Sequence, residues 1–414
     1  MSLIRSFRQN RTGSVPMVFS LFMMPISAVT AMAVDYSRAH QARAQLQSAA
    51  DSTVLMLARE AAKKSQSQLA TMADPYFKAV RKNDPDILVG SPAVTKDKKT
   101  VTLRVDGTVK TYFAGIFGYP YLDIGVKAAS AYGTRKIEVA LVLDNTGSMA
   151  SANKITELKK ASKNLISTLE ATSIEPGQIR ISIVPYTTRV KLSTSYRFDS
   201  WITNTPTGSF SGAYSVPASR TSWTGCVGDR DKPHNTKDTP ASAPTPQTLY
   251  PMVNCDGPLA EAMPLTDNWT NLRNRVDSMV ASGMTNITLG AQWGLEMLTG
   301  AAPFSETGTA SDIERFMILL TDGENTQDRF GWNVSDMNKD TKAMCDTITE
   351  RGVPEASKKH RIRLYTVLVI NGNEPLLKSC ATKPEMFYKV NNASQLDSVF
   401  KQIADEIGQI RLTM

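Results

Sequence analysis

The chain has 414 residues, a formal net charge of +8 and 41% hydrophobic residues. That length accommodates two or three domains of about 150 residues each, and the apolar share is ordinary for a globular core. The positive charge invites a nucleic-acid reading. However, Lys and Arg are scattered, and the short clusters Lys96–Lys99 and Lys358–Arg363 are not interleaved with aromatics for base stacking, so no nucleic-acid partner is expected.

Residues 1–14 carry Arg5, Arg8 and Arg11 and no acid. From Val15 to Val34 the sequence is uncharged and mostly apolar for about 20 residues, the length that crosses a bilayer. Pro16 and Pro25 fall inside this run, which membrane helices tolerate better than soluble ones. Arginines ahead of the run place residues 1–14 in the cytoplasm and everything after Asp35 outside. A cleaved signal peptide is the alternative, since Ala31-Met-Ala33 has the form of a cleavage site. The run exceeds the usual signal core of ~7–15 residues, and its helical pattern continues through Tyr36, Ala39, Ala42 and Leu46, which favours an uncleaved anchor at 15–34.

Residues 35–74 read as a helical stalk rich in Ala, Gln and Leu, broken by Pro75 and Pro85. Between 75 and 135 the period drops to two, most clearly in Thr100-Val-Thr-Leu-Arg-Val-Asp-Gly-Thr-Val109, which predicts a small β-rich unit.

A larger domain is expected over 136–414. Ile137 to Leu143 is an almost wholly apolar, branched run, the pattern of a strand buried on both faces of a parallel sheet. The turn after it offers the Asp144 carboxylate and the hydroxyls of Thr146 and Ser148. A helix follows, with Ile155, Leu158, Ala161, Leu165 and Leu169 along one face. Strand, polar loop and helix in that order form the place where open α/β sheets bind ligands. Hard oxygen donors on alternate residues suit Mg²⁺, and Mn²⁺ or Ca²⁺ would accept the same oxygens.

Gln178–Tyr186 is the next strand, and then the pattern fails. Residues 190–265 are rich in Ser, Thr, Pro, Gly and Asn, with Trp201 and Trp223, and read as an insertion. Four cysteines fall as two sequence-local pairs, which favours Cys226–Cys255 and Cys345–Cys380 among the three possible pairings; reduced buried thiols are the alternative. Disulfides imply an oxidising compartment, and the first would staple an insertion too polar to hold itself by core burial. Helices are expected near 267–281, 286–299 and 337–351, and strands end at Asp322, Ile370 and Val390. Ser394 is expected to cap a last helix bearing Leu396, Phe400, Ile403 and Ile407. Alternating strands and helices predict an α/β fold with a doubly wound, mostly parallel sheet.

The pattern Asp144-x-Thr146-x-Ser148 after a buried strand resembles the first segment of the metal-ion-dependent adhesion site of von Willebrand factor type A domains. Gly283-Met-Thr285-Asn-Ile-Thr-Leu-Gly290 resembles the second, and Phe316-Met-Ile-Leu-Leu-Thr-Asp322-Gly323-Glu324 the third. The resemblance implies five ligands, Asp144, Thr146, Ser148, Thr285 and Asp322, with Thr288 a substitute for Thr285. It also implies a Mg²⁺-type cation, some of whose ligands bind through water, and a coordination position taken by an acidic side chain of a protein partner.

Arg11-Thr-Gly13-Ser, the apolar run, Val34-Asp35-Tyr36 and Leu46-Gln47-Ser-Ala-Ala-Asp51 together resemble the N-terminus of TadG-like proteins of tight-adherence (Flp) pilus systems, as does Trp223-Thr-Gly-Cys226-Val-Gly-Asp-Arg230. Pilin-like members of such systems carry Glu five residues after the cleavage Gly. Val18 stands at that place here, which argues against prepilin-type processing. The resemblance implies a single-pass bacterial inner-membrane protein with a periplasmic C-terminal domain, partnered by other pilus assembly components. An envelope adhesin or scaffold unrelated to pili is the alternative.

Catalysis is not expected. Ser148 lacks a Gly-x-Ser-x-Gly elbow, no phosphate- or dinucleotide-binding glycine motif occurs, and His40, His234 and His360 stand in no catalytic pattern.

Overall fold

The computed structural model describes residues 14–61, 64–97, 100–132, 135–173, 175–208, 210, 214–300, 302–304, 307, 313–354 and 357–410. The basic residues Arg5, Arg8 and Arg11, and Gly13, lie outside the described residues. Two compact units divide between Thr134 and Arg135.

The first unit opens with α1, Ser14–Ala61, a single helix of 48 residues that contains Pro25. Between 18 and 34 its large apolar side chains face outward, as Leu21 (73% exposed) and Met24 (77%) do. After Asp35 one stripe turns inward, with Ala39, Ala42, Leu46, Ala49, Ala50, Val54 and Leu57 all buried. Small residues on that stripe let a sheet approach closely. Its strands are β1 (Ile87–Val89), β2 (Ala93–Lys96), β3 (Thr100–Lys110) and β4 (Tyr121–Ala131), all antiparallel. Alternate residues of β3 and β4, including Val101, Leu103, Val105, Ile124 and Val126, complete one core with α1. The stretch expected as a free stalk is therefore half of a packed α/β unit.

Pro75 does not end a helix either. It lies inside α2, Gln66–Val80, which starts from a capping box between Ser65 and Gln68. Burial of Leu69, Ala73 and Phe77 on its inner face offsets the hydrogen bond that proline cannot donate.

In the second unit, β5 (Lys136–Asp144), β6 (Ile179–Tyr186), β12 (Ile313–Thr321), β13 (Ile362–Val369) and β14 (Phe387–Val390) form a parallel sheet in the order β14-β13-β12-β5-β6. Along β5, Val139, Leu141 and Leu143 point to one core and Ala140 and Val142 to the other. Both faces are covered, which is why the sequence reads as a continuous apolar run. The first face packs α3 (Lys154–Thr172), α4 (Trp269–Asp277) and α8 (Leu396–Ile410). The second packs α5 (Ile287–Thr299) and α6 (Val334–Ile348), with α7 (Glu374–Cys380) beside them. The last helix is reached through a turn capped by Asn392, whose side chain accepts from the Ser394 N–H, so Asn392 rather than Ser394 is the cap.

Helix α5 is buried all round. A Cβ on Gly290 would fall 2.6 Å from the Tyr186 ring, and one on Gly294 would fall 2.5 Å from Val142 Cγ2, so both glycines permit a close helix-to-sheet approach.

The insertion is less polar in space than in sequence. Its β7 (Val190–Lys191), β8 (Ile202–Thr203), β9 (Cys226–Val227) and β10 (Tyr250–Pro251) are two residues each. β7 and β9 extend the main sheet beyond β6, while β8 pairs with β10. A further strand, β11 (Met263–Thr266), pairs antiparallel with β6. Trp201, Trp223 and Tyr250 are buried and continue the α5-side core. Trp201 and Tyr250 stand edge-on or tilted against Trp293. A few large rings bury much area without any periodicity, which corrects the expectation of a region held mainly by its disulfide. Both expected bridges form: Cys226–Cys255 ties β9 to the segment that follows β10 within the insertion, and Cys345–Cys380 ties α6 to α7.

Candidate functional site

Parallel register puts Leu143 of β5 opposite Leu320 of β12, so the next residues of the two strands, Asp144 and Thr321, emerge side by side. Thr321 Oγ1 donates to Asp144 Oδ2 at 2.7 Å, and the Thr146 N–H donates to Asp144 Oδ1 at 2.7 Å. Thr146 Oγ1 and Ser148 Oγ share a hydrogen bond at 3.0 Å, and Ser148 Oγ donates to Asp322 Oδ1 at 2.5 Å. Four of the five residues singled out in the sequence thus form one connected set of oxygens. Asp144, Thr146 and Asp322 are buried, whereas Gly147 and Ser148 face solvent, so the set opens outward at Ser148.

Thr285 does not join this hydrogen-bonded set and is tied by its backbone to Thr326, four residues past Asp322. Its N–H donates to Thr326 Oγ1 at 2.7 Å, and its carbonyl accepts from the Thr326 N–H at 2.9 Å, joining the second loop to the third. The first and second loops are joined by Gly147 N–H to Gly283 O (2.9 Å) and Ser282 N–H to Asn145 O (2.7 Å). Gly283 has φ +80°, a conformation that favours glycine at this crossing. Thr288, the substitute candidate, shares a hydrogen bond with Thr341 of α6 at 2.8 Å, inside the core.

Burial pushes the Asp144 carboxyl up to about 6, and the facing Asp322 carboxylate adds to the rise, while hydrogen bonds from Thr146 and Thr321 oppose it. Asp322 has an ion-pair partner. Lys154 Nζ donates to Asp322 Oδ2 at 2.7 Å, in an ion pair whose side chains are 7% and 0% exposed. The lysine is the first residue of α3, and it follows two left-handed residues, Ala152 (φ 52°) and Asn153 (φ 60°), which turn the chain under the loop. Sequence reasoning passed over Lys154. The available signal was its place four residues ahead of Leu158, on the stripe that the helix buries.

A second layer comes from the insertion. Asp229 (1% exposed) accepts both contacts of the Asn286 side-chain amide, at 2.9 and 3.0 Å, while Asn286 Oδ1 caps α5 by accepting from Leu289 N–H. Arg329, seven residues past Asp322, is buried and donates to the Asp229 carbonyl (2.7 Å), the Thr207 carbonyl (2.6 Å) and the Asp231 carboxylate. The insertion thus buttresses the second and third loops. Asp229 and Arg329 carried no motif, and only the folded chain brings them together.

The donor set fits a hard cation. The Thr146 and Ser148 hydroxyls and the Asp322 carboxylate, hydrogen-bonded in a row, are oxygen types that Mg²⁺ accepts. Among the described residues no cluster of three or more His, Cys, Asp or Glu could hold a metal. Any cation here would therefore rely on two carboxylates and neutral hydroxyls. Of the histidines, His360 pairs with Asp238 at 2.9 Å, and the His234 carbonyl accepts from Gln292; neither residue belongs to the oxygen set.

Residues 13–60 match the family of TadE/G-like proteins assigned to Flp pilus assembly. No curated protein matches the chain. Solved structures similar to it include the pilus adhesin SpaC of Lactobacillus rhamnosus GG (10% identity, TM-score 0.41), covering 80% of this chain and 36% of SpaC. The von Willebrand factor domain of the type V pilus tip protein Mfa5 of Porphyromonas gingivalis (13%, TM-score 0.37) covers 68% of this chain and 98% of its own. Proximal thread matrix protein 1 of mussel byssus, solved with a zinc-occupied MIDAS motif (14%, TM-score 0.36), covers 66% and 48%. The chain thus spans about a third of the length of SpaC.

Proposed function

We propose that the chain is a membrane-anchored, non-catalytic component of tight-adherence pilus assembly. In this reading residues 1–14 are cytoplasmic, the span lies within 15–34, and residues 136–414 form a periplasmic, doubly wound von Willebrand factor type A domain. That domain binds a protein partner through a divalent cation held by Asp144, Thr146, Ser148, Thr285 and Asp322. The observation that carries the reading is the knitting of three separate loops at the carboxyl ends of β5 and β12, where open α/β sheets bind ligands. The match of residues 13–60 to a pilus-assembly family supplies the context.

When bound, the cation supplies a Lewis-acidic position for a carboxylate oxygen from the partner. The chain's own residues do the rest. Thr321 and the Thr146 N–H hold both oxygens of Asp144 in place. Ser148, at the exposed lip, aligns one oxygen of Asp322, and Lys154 holds the other.

Thermal unfolding of the full-length chain in detergent, with EDTA and with Mg²⁺ or Mn²⁺, tests the site. A midpoint raised by metal, and no longer raised in Asp144→Ala and Asp322→Ala, is the expected result. No shift, with no metal found by elemental analysis, would leave a scaffold without metal chemistry. Crosslinking in cells tests the context: capture of pilus assembly proteins is expected, whereas normal pili in a deletion strain would favour an adhesin or scaffold unrelated to pili.

A further inference from the structure

The β3–β4 connection is an unusual hairpin tip. From Thr111 to Leu122 it contains no charged residue, and its large side chains point outward: Phe113 is 41% exposed, Ile116 79%, Phe117 55% and Tyr119 67%. Such a tip in water would be a costly apolar patch. Its backbone, however, is closed on itself. Thr111 N–H donates to Pro120 O (3.0 Å), Ile116 N–H to Phe113 O (3.0 Å) and Tyr119 N–H to Ala114 O (3.1 Å). The three N–H groups at its entry, those of Tyr112, Phe113 and Ala114, all donate to the buried carboxylate of Asp35 at 2.8, 2.9 and 2.7 Å. A segment whose N–H groups at 111–114, 116, 118 and 119 are bonded within the protein, and whose apolar side chains turn out, suits a medium that offers no hydrogen bonds.

The tip also lies beside the apolar half of α1. Phe113, Ile116 and Phe117 share an open groove with Met24, Pro25, Ala28 and Ala31. Met24 to Ala31 spans about 10 Å of helix axis at 1.5 Å per residue. Helix and hairpin lose their charges at one level. Asp35 is the last charged residue of the helix before the apolar run, and it is bonded to the first residues of the tip. Just above it, Arg38 donates to Asp86 (2.8 Å) and to the Lys110 carbonyl (3.1 Å), and stacks 3.6 Å over the Tyr112 ring. A polar collar thus borders an uncharged helix and an uncharged hairpin on the same side, with tyrosines at 112, 119 and 121 near the border, as at a membrane–water interface.

We propose that the hairpin tip, residues 111–121, is a second membrane-seated element, placing Ile116 and Phe117 among lipid acyl chains beside Met24–Ala31, with Asp35 as the residue that locks tip to helix. The proposal rests on reading α1 as a membrane span. Lipid is favoured over a protein partner because the tip's exposed surface continues the outward apolar surface of α1, and the groove between them is lined by apolar residues and Ser27, with no charged residue.

Depth-dependent quenching tests it. All four native cysteines are in disulfides, so an introduced thiol can carry a single environment-sensitive fluorophore. Full-length chain bearing the label at Ile116→Cys, Phe117→Cys, Leu21→Cys or Ala129→Cys would be placed in phosphatidylcholine/phosphatidylglycerol vesicles. Acyl-chain nitroxide lipids are expected to quench labels at 116, 117 and 21 at least twofold and to leave 129 unchanged, while aqueous iodide quenches only 129. Quenching at 21 with iodide access at 116 and 117 would overturn the proposal and leave the anchor standing. Absence of lipid quenching at 21 would overturn the anchor and the proposal with it. Shielding of 116 and 117 from both quenchers would mean that a second copy of the chain covers the tip, which also overturns lipid contact.

Discussion

Replacing Lys154 by Met tests how the site manages its charge. The ammonium lies 2.7 Å from an Asp322 carboxylate that is wholly buried. Removing one partner of a buried pair leaves an uncompensated charge and costs about 3–5 kcal/mol. The metal-free variant should therefore unfold at a lower temperature than the parent, by roughly 6–10 °C for a domain of this size. A dication should respond in the opposite sense. The parent site holds two carboxylates and one ammonium, so the lysine repels an incoming cation. Two unit charges 4 Å apart interact by about 4 kcal/mol at an effective dielectric constant near 20. Even a gain of about 3 kcal/mol in the variant would tighten binding by roughly a hundredfold. Titration calorimetry with Mg²⁺ and Mn²⁺, beside unfolding with EDTA and with metal, reads both effects. The variant should lose stability without metal, regain it with metal, and bind metal more tightly than the parent. Equal melting without metal, together with equal or weaker metal affinity, would refute the reasoning and reduce Lys154 to a support for the loop.

Asp229 makes stability depend on pH. Burial and then the Asp328 carboxylate raise its folded-state pKa from 3.8 to about 6. The folded state therefore holds this proton where the unfolded state has lost it, and stability falls as pH rises from about 4 to about 6, by at most ~3 kcal/mol from this group. Asp229→Asn should flatten that part of a stability–pH curve measured by urea unfolding; an unchanged slope would contradict the assignment. Gly290→Ala sets a methyl against the Tyr186 ring at 2.6 Å and should destabilise by about 1–3 kcal/mol through overpacking, read as a shift in urea midpoint. The Cys345–Cys380 bridge closes a separation of 35 residues. Its double Ser variant should lose up to about 4 kcal/mol by the loop-entropy relation, and reductant, which can then act only on Cys226–Cys255, should lower the variant's melting by less than the parent's.

The main sheet of the second unit was legible because each parallel strand is buried on both faces. Runs such as Ile137–Leu143 and Phe316–Leu320 admit few other readings, and a polar residue at the end of each run marks the loop. The candidate oxygens were legible for a related reason: side chains carried just past strand ends keep a fixed spacing from the strand, whatever lies between the loops. The two disulfides followed from sequence proximity alone.

What the sequence could not decide depends on contacts between residues far apart in the chain. The stripe of alanines at 39, 42, 49 and 50 is equally compatible with a bare stalk and with a helix beneath a sheet; only the arrival of β3 and β4 distinguishes them. The polar composition of 190–265 concealed its fold because three or four rings, set wide apart, supply the burial that a periodic pattern would otherwise announce. Lys154, Asp229 and Arg329 are single charged residues in unremarkable surroundings. Their roles arise where the fold removes them from water and sets an opposite charge or a carbonyl in front of each, since a buried charge persists only with such a partner. Local pattern determined the strands, the loops that carry the oxygens and the apolar N-terminal helix, while tertiary packing determined which buried charges face one another across those loops.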